Sequence, residues 1–110
     1  MNRFGGIIMG LSMYLWGIGE TRFVEEMYWC KDYIMHQWFV ENIQNGINDG
    51  KRYFVSRKKM KEFIEYCKNE IKNFKADDDD GEHHLYCCNY AIKQWERIKD
   101  RYTDFCYRGW

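Results

Sequence analysis

His83, His84, Cys87 and Cys88 form the densest group of metal-ligating and nucleophilic side chains in this 110-residue sequence. On a helix, residues four apart share a face. His83 with Cys87, and His84 with Cys88, would then each offer an imidazole and a thiol, the ligand types zinc favours. A closed zinc site needs two more ligands, for which Cys67 or Cys106 would have to approach. Cys88 is also claimed by an apolar stripe, so the residues assign no metal and no cofactor. Nucleophilic catalysis needs a thiol or hydroxyl, a base and an orienting group within hydrogen-bond reach. Cys30 and His36 lie six residues apart, about 120° off one another around a helix, and cannot pair alone. Glu25 with Glu26 and Glu62 with Glu65 read as solubilising charges on outward faces. The expectation is a protein that is not an enzyme, with a small cytosolic metal-dependent enzyme as a further alternative.

Two binding constellations stand out instead. Between residues 51 and 61 there are six bases, Lys51, Arg52, Arg57, Lys58, Lys59 and Lys61, and no acid. Positive charge at a helix N-terminus opposes the helix dipole. Its presence there suggests another use, such as binding a phosphate or an acidic protein surface; the plainer reading is a set of exposed solubilising lysines. Trp29, Tyr33, His36 and Val40 recur at helical spacing as a second stripe. Trp and Tyr are favoured at binding hot spots, and His changes charge near neutral pH. Burial under a strand or the N-terminal segment is the competing reading. Nucleotide and calcium loops fail on spacing. Arg22 stands where a third glycine would follow Gly17 and Gly19. Counted from Gly81, an EF-hand loop would have Ala76 and Cys87 at ligand positions.

The elements that must position these groups follow from periodicity. Gly10 to Trp16 reads as a β segment after a loose extension over residues 1–11. A helix is predicted from Thr21, as N-cap, to Asn45. Its apolar residues cover most of the circumference, so both sides must be buried or one must bind. Turn signals over 45–50 precede a short strand at 52–55. Ser56 then reads as the N-cap of a second helix, with Val55 and Met60 as a hydrophobic staple and Met60, Phe63, Ile64, Cys67, Ile71 and Phe74 on one face. Four consecutive aspartates break the chain before a third helix over 82–101, buried along Leu85, Cys88, Ile92, Trp95, Ile98 and Tyr102. Residues 103–108 alternate like a last strand. The predicted fold is one small α+β domain over 12–110, in the order β-α-β-α-α-β, with three amphipathic helices on a three-stranded sheet.

Global composition agrees. There is no proline, and Phe, Trp and Tyr make up 19% of the chain, unlike disordered or Pro-rich sequences. Seventeen bases balance seventeen acids, so a dedicated nonspecific nucleic-acid binder is not indicated. Near-zero net charge favours association, and a homodimer is compatible with it. Five cysteines without a C-x-x-C pair fit reduced thiols in a reducing cytosol, with Cys30, Cys67 and Cys88 at apolar positions. The apolar run at 4–18 is too short for a membrane span.

Four segments, Ser12-Met13-Tyr14-Leu15, Trp29-Cys30-Lys31 through His36-Gln37-Trp38-Phe39-Val40-Glu41-Asn42, Tyr53-Phe54-Val55-Ser56-Arg57 and Asp104-Phe105-Cys106-Tyr107-Arg108-Gly109-Trp110, occur in order. Together they resemble a group of small hypothetical proteins of tailed bacteriophages. The resemblance covers most of 12–110. That group often carries Arg, Asn and Ile at positions 30, 33 and 35, beside the aromatic-His stripe, and its tail is one residue longer. The resemblance implies a phage gene product acting in the bacterial host cytoplasm, with a start near the Ser-Met-Tyr-Leu motif. With no catalytic constellation, the expected function is an accessory protein that binds and inhibits a bacterial host factor. A defence complex is the favoured target, in the manner of an anti-CRISPR, with Trp29, Tyr33 and His36 facing the partner. The alternative is a binder of nucleic acid or a signalling nucleotide through residues 51–61.

Overall fold

The computed structural model describes residues 10–110. The proposed extension therefore lies outside the described residues except for its last two positions, and Leu11 is buried in the core. Seven elements follow in order. Strand β1 (Ser12–Ile18) and strand β2 (Phe23–Cys30) form a hairpin. Helix α1 (Tyr33–Asn42), strand β3 (Tyr53–Ser56), helix α2 (Arg57–Asn73), helix α3 (Asp79–Ile98) and strand β4 (Asp104–Gly109) complete the chain. The α+β expectation holds, but the sheet has four strands, all antiparallel, in the order β2-β1-β4-β3.

The extra strand corrects the predicted Thr21–Asn45 helix. Gly19 N–H donates to Arg22 C=O at 2.9 Å, closing a tight turn that brings Phe23 opposite Ile18. Met27 and Trp29 then point inward while Tyr28 and Cys30 point outward, a two-residue period. An apolar "helix" without a polar side is here a strand followed by a helix. Lys31, at φ 58°, makes the corner. Asp32 caps α1 by accepting from Met35 N–H at 3.0 Å.

Later elements lie close to expectation. Ser56 Oγ accepts from Lys59 N–H at 3.1 Å, and Val55 and Met60 are both fully buried. Met60, Phe63, Ile64 and Cys67 are the buried face of α2. Helix α3 starts earlier than the predicted residue 82 because Asp78 caps it and Asp79 and Asp80 occupy its first turn, where acids complement the dipole. All three helices pack on one face of the sheet, and the core joins Met13, Leu15, Phe39, Phe63, Ala91 and Phe105. No described helix is long and apolar enough to cross a membrane.

Candidate functional site

Three places concentrate chemistry: a buried polar hub, a groove on the helical side, and the outer face of the sheet.

The hub is centred on His84 of α3. Its Nδ1–H donates to Asp32 Oδ2 at 2.7 Å and its Nε2–H to Glu70 Oε1 at 2.7 Å. With both nitrogens donating to carboxylates, the ring is the imidazolium. Burial alone would lower its pKa; the Asp32 and Cys88 contacts outweigh that and raise it to about 10. Cys88 Sγ lies 3.8 Å from His84 Nε2. The Cys67 hydrogen bond, working against burial and helped by His84, draws the Cys88 thiol down to about 7. Burial pushes Cys67 and Tyr66 far upward. The set contains a thiol, a base and an orienting carboxylate in the order a cysteine nucleophile requires. However, Glu70 holds Nε2, and Cys88, His84 and Cys67 are 0% exposed, so no substrate reaches the sulfur. Its chemistry here is cohesive: one cation joins the α1 cap, α2 and α3.

Only part of this hub is legible in the sequence. The four-residue spacing of His84 and Cys88 is visible, and Cys67 does approach, whereas Cys106 sits on the sheet. Asp32 and Glu70 are the missed members. Glu70 lies three residues after Cys67, an acid on the edge of an apolar stripe, which is the signal available. The other half of the 83–88 group parts from it: His83 Nε2 bonds Cys30 C=O at 2.7 Å, with Cys87 Sγ at 3.5 Å. Among the described residues, no three His, Cys, Asp or Glu side chains are placed to hold a metal ion. All five cysteines are free; Cys30, expected in the core, is exposed, and the other four are buried.

The aromatic-His stripe does not exist as one helical face, because Trp29 belongs to β2 and the other members to α1. Trp29 is 3% exposed, its ring edge-on to Phe63 at 6.0 Å. His36 is 6% exposed and bridges Tyr107 Oη at 2.6 Å and Asn48 Oδ1 at 2.9 Å. Tyr33 is 41% exposed. It lines a shallow groove of about 510 Å³, broadly open to solvent, along α1 beside Tyr66 of α2, with Ile34, Gln37, Trp38 and Glu41. Trp38 and Tyr66 stack with centroids 5.6 Å apart to form its floor.

Residues 51–61 are likewise dispersed. Arg57 donates to Tyr102 C=O at 2.7 Å and pairs with Asp100 at 3.5 Å. Lys59 pairs with Glu62 at 3.1 Å. Lys58 and Lys61 flank Glu62 and Glu65 beside a shallow depression on α2. Lys51 contributes its backbone N–H to Asp49. Arg52 alone of the six lies over sheet-face rings, those of Trp16 at 4.9 Å and Phe23 at 5.6 Å.

That outer face is aromatic. Tyr14 stacks on Trp16 (5.6 Å, 15°) and meets Tyr28 at 5.2 Å and Trp110 at 5.5 Å. Arg108 lies 3.7 Å over the Trp110 ring. No family model, curated protein or solved structure matches this chain.

Proposed function

We propose that the protein is a non-enzymatic phage accessory protein that docks onto a bacterial host factor and blocks it, with a defence complex as the target class. The observation that supports this reading is the α1–α2 groove. There Tyr33 and Ile34, 41% and 40% exposed, flank the stacked Trp38 and Tyr66 floor, with Gln37 and Glu41 along the lining. An aromatic floor with a polar margin is the composition of a protein-binding hot spot. Of the three residues expected at the partner surface, Tyr33 is the one whose exposure suits the role. Closure of the hub to solvent favours docking over thiol chemistry.

The test combines capture with function. Tagged protein expressed in a defended bacterial host should retain a stoichiometric partner and restore plaque formation by a targeted phage. Ile34→Asp, which puts a charge at the groove's apolar side, should abolish both while leaving the circular dichroism spectrum unchanged. Equal plaque rescue by wild type and Ile34→Asp, or no rescue by wild type in any defended strain, overturns the reading.

A further inference from the structure

We propose that the outer face of the sheet is a platform for single-stranded nucleic acid, separate from the groove assigned to a protein partner.

Register builds the platform. Tyr14 on β1 stands opposite Tyr28 on β2 and Arg108 on β4, so the three form a row across the sheet. The next row runs from Glu25 of β2 through Trp16 of β1 and Cys106 of β4 to Phe54 of β3. Because the helices cover the opposite face, these side chains face outward. Tyr28 is 43%, Trp110 53% and Phe54 61% exposed. A folded domain seldom leaves so many large rings together at its surface without a use.

The chemistry on this face points to bases and phosphates. Every base has a flat π face, and stacking on aromatic side chains is the sequence-tolerant way to hold a single strand. Ile18 is the one aliphatic side chain at the outward strand positions, against Tyr14, Trp16, Phe23, Tyr28 and Phe54, so the surface offers flat rings more than aliphatic knobs. Arg52 and Arg108 already lie over Trp16 and Trp110. A guanidinium held over a ring keeps its N–H edge available for a phosphate. Arg108 spends Nε on Gly50 C=O at 2.7 Å, and neither arginine has a salt bridge among the described residues. Carboxylates on the face are Glu25, opposite Trp16, and Asp104, opposite Ser56. No strand side chain at the Arg108–Trp110–Tyr14 corner is a carboxylate. The sequence alternative placed anion binding along residues 51–61; the sheet selects Arg52 from that segment and adds Arg108, forty-seven residues beyond its end.

Fluorescence-labelled oligo-dT and oligo-U, with the matching duplex as control, test the platform by anisotropy. Single strands should bind at low salt and duplex should not, since stacking needs unpaired faces. Two phosphate contacts would give a log–log salt slope of about −1.4, at about −0.7 per contact on single strands. Trp110→Ala should weaken binding about 5-fold or more by removing one stacking surface. Arg52→Gln with Arg108→Gln should flatten the salt slope. Trp110→Ala is at the surface, so circular dichroism should show a native fold. The proposal fails if wild type binds neither oligonucleotide at low salt, if duplex binds equally, or if Trp110→Ala binds like wild type. Ile34→Asp should leave oligonucleotide binding intact, so loss of the groove reading and loss of this one give different results.

Discussion

A buried imidazolium held by two carboxylates makes His84 the residue whose replacement should be felt most widely. His84→Gln removes the cation and leaves Asp32 and Glu70 facing each other. Breaking a buried pair in this way costs about 3–5 kcal/mol, so the urea midpoint should fall sharply. The pH dependence has a defined sign. His84 is raised from 6.5 to about 10. Its contribution is complete below pH 6.5 and is lost as pH rises through 10, with a slope of up to about 1.4 kcal/mol per pH unit. Cys88 is lowered from 9.0 to about 7, so its contribution is present above pH 9 and lost as pH falls through 7. From pH 7 to 9 the two oppose each other. Urea midpoints should therefore be nearly flat across that interval and fall again between pH 9 and 10. A steady decline from pH 7 onward would show that the thiol does not share in the hub.

Elements supply the next constraints. Gly17 is an inward position of β1, and a methyl group there would come within 2.4 Å of the Tyr102 ring. Tyr102 is held in turn by Glu26 Oε2 at 2.5 Å. Gly17→Ala should lower stability by about 1–3 kcal/mol through overpacking, measurable as a lower thermal midpoint. Ser56→Ala and Asp78→Ala should each cost about 1 kcal/mol as lost N-caps. Ser56, Val55 and Met60 were legible because capping and stapling are local chemistry. The β1–β2 hairpin was not. Residues 23–30 owe their strand to pairing with Ser12–Ile18, and the register shift between Leu15 and Trp16 breaks the alternation by which a strand is recognised. The hub was half legible for a related reason: His84 and Cys88 are spaced by one helix, whereas Asp32 and Glu70 reach them from other elements. The sheet face was hidden by the same misread strand.

Across the whole molecule, burial sorts five chemically identical thiols. Brief iodoacetamide treatment of the native protein should add one carbamidomethyl group, at exposed Cys30, and five in denaturant. A second native adduct mapped to Cys67, Cys87 or Cys88 would mean that the packing of α2 and α3 opens on the labelling timescale, whereas one at Cys106 would report the outer sheet face. Balanced charge and a pI near 6.8 place the solubility minimum close to neutrality. Precipitation scanned from pH 5 to 9 should be greatest near 6.8 and recede on both sides.

The strand order also sets a timetable. β4 is the last of the described elements to leave the ribosome, yet it lies between β1 and β3. During synthesis β1 can pair only with β2, and β3 has no neighbour until residues 104–109 emerge. The nascent chain therefore carries a hairpin and three helices around an unfilled slot. Closing the slot joins segments more than 85 residues apart in sequence, a non-local step that is slow compared with helix formation. The open slot is the interval in which the chain is most exposed to pairing with a stray strand.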